Sequence, residues 1–255
     1  MKEKVCLITG GAGYLGRAYC DFFSKNNYKV LCIDNNKKNL QKIKSLNLRN
    51  LNIYKCDITK HDKVKNLFNL ISKKFFVEVL INNAAIDSVP YKKGSLVQKF
   101  PTSKMWDNEM NVSLKGSFFL IKFFGEKMIN EKKGSIINIG SDLSVIAPNQ
   151  KIYKSSYKNY IKPVTYSVIK HGMLGLTKYF SSLYAHKNVR VNMVSPGSIK
   201  NNQSKKLLKE LETITPMARL GNSNDIFGIL HFLASDNSSY ITGQNILVDG
   251  GRTVI

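Results

Sequence analysis

Apolar positions along the chain fall into two alternating patterns. Seven short runs rich in β-branched residues recur at near-regular intervals: VCLIT (5–9), KVLCID (29–34), LNIYKCD (51–57), VEVLINN (77–83), GSIINIGS (134–141), VRVNMVS (189–195) and NILVDG (245–250). Each has the length of a strand and reads as buried on both faces. Between them, segments near 14–26, 37–47, 60–74, 103–130, 164–186 and 224–235 carry apolar residues at helical spacing. Strand followed by helix, repeated, predicts a doubly wound α/β fold with a mainly parallel seven-stranded sheet and helices on both faces. No repeat, low-complexity tract or linker divides the 255 residues, so residues 1–255 read as one domain. In such sheets a ligand sits beyond the carboxyl ends of the strands, where strand order reverses.

The chemistry-bearing residues stand at those ends. After the first run comes TGGAGYLGRA, with Gly10, Gly13, Tyr14, Leu15 and Gly16 in a strand-to-helix turn. Glycines there permit a tight turn and let the backbone approach a pyrophosphate at the positive end of the helix. Asp34 ends the second run. A carboxylate at that place accepts hydrogen bonds from an adenosine ribose and repels a 2′-phosphate, which favours NAD. The alternative for Asp34 is a helix cap in DNNKKN, and Lys37 and Lys38 leave room for NADP. Later ends carry Asp57 with Ile58, Asn83 with Ala84, Ser141, and Pro196 with Gly197, followed by Ile199. Tyr166 and Lys170, four apart in KPVTYSVIKHGM, share a helix face.

Composition changes this picture little. The chain has 43% hydrophobic residues and no apolar run near the ~20 residues that cross a bilayer. Its start lacks a signal-type cleavage region, so a cytoplasmic location is expected. Cys6, Cys20, Cys32 and Cys56 are widely spaced, without the clustering of a metal site, and read as buried thiols. The formal charge of +22 fits a nucleic acid, an acidic protein or an anionic ligand, but the lysines are dispersed and come with many asparagines. No specific nucleic-acid partner and no membrane partner are expected.

Taken in order, TGGAGYLG, NNAA, GSDLS, YSVIK and SPG resemble the short-chain dehydrogenase/reductase family over nearly the whole chain. The tail SDNSSYITGQNILVDGG resembles the shorter, single-domain branch. The resemblance implies a Rossmann-type fold and an NAD(P)-dependent oxidoreductase that interconverts a hydroxyl and a ketone. It also implies roles: Tyr166 as general acid/base, Ser141 holding the substrate oxygen, Lys170 on the nicotinamide ribose, and Asn111 supporting a water chain to the lysine. The glycine turn and the residues after each strand would bind the cofactor. A phenol of pKa about 10 is a poor base at neutral pH, and the lysine ammonium one turn away favours its phenolate.

Three features depart from the family. The turn spacing TGxxGxxG looks like that of the longer epimerase branch, although the chain stops at VDGGRTVI with no room for that branch's substrate domain. Asn201 stands where the family has a threonine near the carboxamide. Ser141 and Tyr166 are 25 positions apart, well beyond the usual gap. The extra residues, near 147–163, bring Lys151, Lys154, Lys158 and Lys162 with Tyr153, Tyr157 and Tyr160 to the expected rim of the site. They read as a cap for a polar or anionic small molecule, with tyrosines available for stacking, or else as a surface insertion. Segments around this insertion resemble, more loosely, oxidoreductases of bacterial surface-sugar and flagellin-glycan synthesis. The function expected is therefore oxidoreduction of a phospho- or nucleotide-sugar. The alternatives are a 3-oxoacyl-carrier-protein reductase and, from another class, a dinucleotide-binding regulator or nucleic-acid binder. The long helices near 103–130 and 164–186 would support a homodimer or homotetramer.

Overall fold

The computed structural model describes residues 4–86, 100–157 and 160–255. Its strands are β1 (Lys4–Thr9), β2 (Tyr28–Asp34), β3 (Leu51–Lys55), β4 (Val79–Asn82), β5 (Gly134–Ile139), β6 (Val189–Pro196) and β7 (Asn245–Val248). They pair in the order β3-β2-β1-β4-β5-β6-β7, every pair parallel. The expected doubly wound Rossmann-type sheet is thus the observed one. Order reverses between β1 and β4, and the crevice at their carboxyl ends is the switch point.

The helices are α1 (Tyr14–Lys25), α2 (Lys37–Lys44), α3 (His61–Ser72), α4 over 103–130, α5 (Gln150–Ser156), α6 (Val164–Tyr184), α7 (Lys205–Thr213) and α8 (Ser223–Ala234). Within α4 the backbone stays right-handed, but Asn111–Lys115 and Ile121–Gly125 take π-helical hydrogen bonding. Such single-turn widenings occur often at functional sites.

Alternation at period two explains the two cores. One face of the sheet presents Leu31, Leu7, Leu80, Ile136 and Val191, which stand in register across five strands. They pack against apolar residues of α3, α4 and α6 such as Leu67, Phe124 and Phe180. The other face presents Cys32, Ile8, Ile81 and Ile137, covered by α1 and α8 through Tyr19, Phe23, Ile226 and Leu230. Each such side chain, fully buried, contributes about 1.5–3 kcal/mol. The four cysteines are buried free thiols. A third, smaller cluster joins Ile152 of α5 to Leu207 and Leu211 of α7, and it lies beside the carboxyl end of the sheet. Neither α5 nor α7 was expected from the periodicity.

Candidate active site

The glycine turn is shaped by what its neighbours leave no room for. Gly10 has φ +59°, and a Cβ there would lie 2.9 Å from Ala84 Cα. A Cβ on Gly16 would fall 2.1 Å from the Gly10 carbonyl oxygen. Gly13 caps α1 without a side-chain hydrogen bond, so the first backbone N–H groups of α1 face the crevice available to an anion. Thr9 ties this turn to the next strand end: its hydroxyl accepts from Asn83 N and Ala84 N, each at 3.1 Å. Asn83 Nδ2 in turn donates to the carbonyls of Thr9 (3.0 Å) and Gly10 (3.2 Å).

Asp34 is not the cap of α2, which is Asn36, accepting from Asn39 N at 3.1 Å. One carboxylate oxygen of Asp34 accepts from Ala12 N (3.1 Å) and the other from Asn36 N (2.9 Å), which fixes the group beside the glycine turn. Asp57 lies just past β3, accepting from Thr59 N (3.1 Å) and Thr59 Oγ1 (2.7 Å). Burial pushes its carboxyl up, but the Thr59 hydrogen bonds and the charges of Lys60 and Lys63 outweigh this and hold it below the usual carboxylate value. The Ile58 side chain fills the core against Gly116, so only its backbone can face a ligand.

A cleft of about 250 Å³ opens at the switch point and collects Tyr14, Leu15, Asn83, Ser141, Tyr166, Lys170, Pro196, Gly197 and Ile199. Asp34, Asp57, Ile58 and Ala84 lie outside that lining, at the ends of β2, β3 and β4. Tyr14 spans the cleft's mouth, donating from its hydroxyl to Lys200 O at 2.7 Å. Gly197 packs so closely on Asp249 that a Cβ would sit 2.7 Å from its Cα. Asn201 also faces the cleft, and its backbone N donates to Gln203 Oε1 at 2.7 Å.

Ser141 is buried at the head of a 3-10 turn. Its hydroxyl donates to Asp142 Oδ1 (2.7 Å) and accepts from Leu143 N (3.2 Å) at the wall of the cleft. Burial raises the Asp142 carboxyl above its ordinary range, against the opposing hydrogen bonds from Ser141 and Leu143 and the charge of Arg252. Lys170 is buried, and its ammonium donates to Ile139 O at 3.0 Å and lies 5.5 Å from the centre of the Tyr166 ring. Asn111 is half-buried outside the cleft lining and opens the first π-helical stretch of α4, which packs on α6.

The inserted stretch corrects two expectations. Lys151 and Lys154 are exposed and do not line the cleft, while Lys162 is buried in it; Lys158 lies outside the described residues. Of the three tyrosines, Tyr153 alone lines the cleft. Tyr160 is buried with its ring 6.0 Å from Tyr153 and 5.9 Å from Tyr157, and the Tyr157 hydroxyl accepts from Ser204 N at 3.1 Å. Tyr157 packs against the cluster of Ile152 with Leu207 and Leu211 of α7, and Tyr160 packs on the two tyrosines, so neither faces the cleft. Sequence reasoning also missed Asp142, Asn149, Gln203 and Arg252, all of which line the cleft. Asp142 adjoins Ser141 in GSDLS and was legible there; Arg252 reaches the cleft only through the path of the chain after β7.

A family model described as enoyl-(acyl carrier protein) reductase matches residues 11–253. A solved short chain dehydrogenase from Leptospira borgpetersenii, with bound NAD+, superposes with a TM-score of 0.85 at 30% identity, covering 99% of this chain and 94% of that one. The chain belongs to the short-chain dehydrogenase/reductase family. It is accordingly an NAD(P)-dependent oxidoreductase acting between CH–OH and ketone. A 3-oxoacyl-(acyl-carrier-protein) reductase of Thermotoga maritima is 32% identical over 100% of this chain and 99% of its own length. An NAD-dependent glycerol dehydrogenase of Listeria innocua is 28% identical over 99% and 94%. Among the described residues, no helix is long and apolar enough to cross a membrane.

Proposed function

We propose that this oxidoreductase uses NAD(H) to interconvert a hydroxyl and a ketone on a polar, anionic small molecule of the phospho- or nucleotide-sugar class. The observation that carries this reading is the polar lining of the cleft around Tyr166: Asp142, Asn149, Asn201, Gln203 and Arg252 converge on it. Such groups hydrogen-bond a polyhydroxylated substrate, and the Arg252 guanidinium suits a phosphate or carboxylate. The glycine turn and Asp34 fit the dinucleotide: no Cβ is tolerated at Gly10 or Gly16, and the Asp34 carboxylate is held where a ribose diol would meet it. When bound, the nicotinamide accepts or gives the hydride.

The chain's own residues manage the oxygen and its proton. Ser141 donates its hydroxyl hydrogen to the substrate oxygen, Tyr166 takes the hydroxyl's proton as phenolate in the oxidative direction and returns it in reduction, and Lys170 holds the tyrosine and the ribose. Asn111, where α4 widens against α6, supports the lysine through water. Asp57, Ile58, Asn83, Ala84, Pro196, Gly197 and Ile199 frame the dinucleotide.

A second reading, 3-oxoacyl-carrier-protein reduction, is favoured by the 32% identical relative and by the apolar wall that Ile152, Leu207, Leu211 and Ile214 give the cleft. Following NADH absorbance with phospho- and nucleotide-sugars beside an acetoacetyl thioester separates the two. Turnover on the thioester alone overturns the sugar reading. The chain is further proposed to act in the cytoplasm as a homodimer or homotetramer, through the exposed apolar face that α4 and α6 share.

A further inference from the structure

Tyr166 carries a second lysine that the family pattern does not specify. Lys162 stands one turn before it, immediately ahead of Pro163, the N-cap of α6. A residue before proline is driven to an extended backbone, which keeps Lys162 out of the helix. Its backbone is then fixed at both polar groups by one side chain. Lys162 N donates to Gln150 Oε1 at 2.9 Å, and Gln150 Nε2 donates to Lys162 O at 3.1 Å. Gln150 is the first residue of α5, so the inserted helix is what clamps this position.

The side chain is 5% exposed, and its ammonium lies 3.9 Å from the centre of the Tyr166 ring, nearer than the 5.5 Å of Lys170. An ammonium is costly to bury. Over an aromatic face it recovers part of that cost from the ring's negative quadrupole. When the phenol ionises, the negative charge spreads into the ring, and the attraction grows from quadrupole to charge. A cation placed there therefore favours the ionised form.

We propose that Lys162 is a positioning residue for Tyr166, a second cation that shares with Lys170 the task of holding the phenolate, delivered to the ring by the inserted segment. This rests on the reading of Tyr166 as acid/base. The other charged or titratable groups lining the cleft are Tyr14 of α1, Asp142 from the turn after β5, Tyr153 of α5, Arg252 after β7 and Lys170 of α6 itself. All remain in place in the variants below.

The test is titration of tyrosinate absorbance in the full chain, which needs no substrate. With 12 tyrosines present, subtracting the Tyr166→Phe titration isolates the Tyr166 component. In the unmodified protein this component should titrate below the ordinary value of about 10. Lys162→Met and Lys162→Gln should each raise its midpoint by about one to three pH units, the range for loss of a close opposite charge. Lys162→Arg should return it toward the starting value, and all three should keep NADH binding. An unmoved midpoint in a folded neutral variant overturns the proposal and leaves Lys162 as a wall of the cleft. Loss of fold in both neutral variants but not in Lys162→Arg also overturns it, because the charge then serves the fold. If the unmodified protein shows no Tyr166 component below about 10, the acid/base reading falls together with the proposal.

Discussion

Tyr166 and Asp34 illustrate how much one side chain decides in this crevice. Replacing Tyr166 by Phe keeps the ring and its place in α6, and removes the hydroxyl proposed to exchange the proton. Turnover should fall by about 10²- to 10⁴-fold while the melting temperature and NADH affinity stay close to the unmodified values; undiminished turnover on the true substrate would remove Tyr166 from the chemistry. Asp34 is proposed to set the cofactor preference by a different route. Its oxygens are already engaged by Ala12 N and Asn36 N, so the carboxylate is held rigidly where a 2′-phosphate would add like charge. NAD(H) should bind more tightly than NADP(H), and Asp34→Ala should narrow the gap in parallel fluorescence titrations. Both were named from the sequence because each belongs to a short local pattern, Asp34 at the end of β2 and Tyr166 in the YSVIK of α6. Lys162 was legible only as one of several rim lysines, not as a buried cation over the Tyr166 ring, and Arg252 was not legible as a site group. What places them is a clamp from Gln150 in one case and the course of the chain past β7 in the other.

At the scale of elements, period-two and helical spacing recovered every strand and six helices, including α4, where the π-helical stretches do not disturb the apolar stripe. The differences gather at the carboxyl ends. The runs 51–57 and 77–83 end in the structure at Lys55 and Asn82, because Asp57 and Asn83 leave the ladder to bond Thr59 and the glycine turn. Two short helices escaped: α7 interposes between β6 and α8, which a rule of one helix per crossover does not anticipate, and α5 has an apolar side that gains meaning only against Leu207 and Leu211. The start of α8 gives a pH prediction. Asn222 caps it, accepting from Asn224 N at 2.9 Å, and Asp225 completes a capping box, accepting from Asn222 N at 2.8 Å while Arg219 binds both its oxygens at 2.9 Å. The Arg219 hydrogen bonds, then that of Asn222, hold the Asp225 carboxyl below its usual value. A depressed carboxyl contributes stability that is complete above its unfolded value of about 3.9 and lost as pH falls through the folded one. Asp225→Ala removes a capping contribution of about 1 kcal/mol, so the melting temperature at neutral pH should drop by about 2–4 °C. The difference between the two proteins should shrink as the pH is taken below about 4; a difference constant with pH would exclude the carboxylate as its source.

The whole molecule adds a requirement that no single site explains. The face shared by α4 and α6 exposes Phe118 and Tyr179 beside Gly172 and Gly175, with Leu114 and Leu176 between them. A patch that holds both a ridge and a notch can meet its own copy across a two-fold axis, each ridge entering the other's notch. Heteropartners have no such reason to find both on one surface. Gly175 offers a clean probe, since a Cβ there meets nothing within 4 Å in its own chain. Glycine in a helix interior costs about 1 kcal/mol relative to good helix formers, so Gly175→Lys should hold or raise the stability of the isolated fold. In a paired state, however, the two-fold axis brings two ammonium groups and their stems into an apolar seam, on a chain that already carries +22. The expected outcome is a fall in molar mass by light scattering to that of a smaller assembly, with secondary structure and NADH binding retained. A molar mass unchanged by Gly175→Lys would show that the chain associates, if it does so, through some other surface.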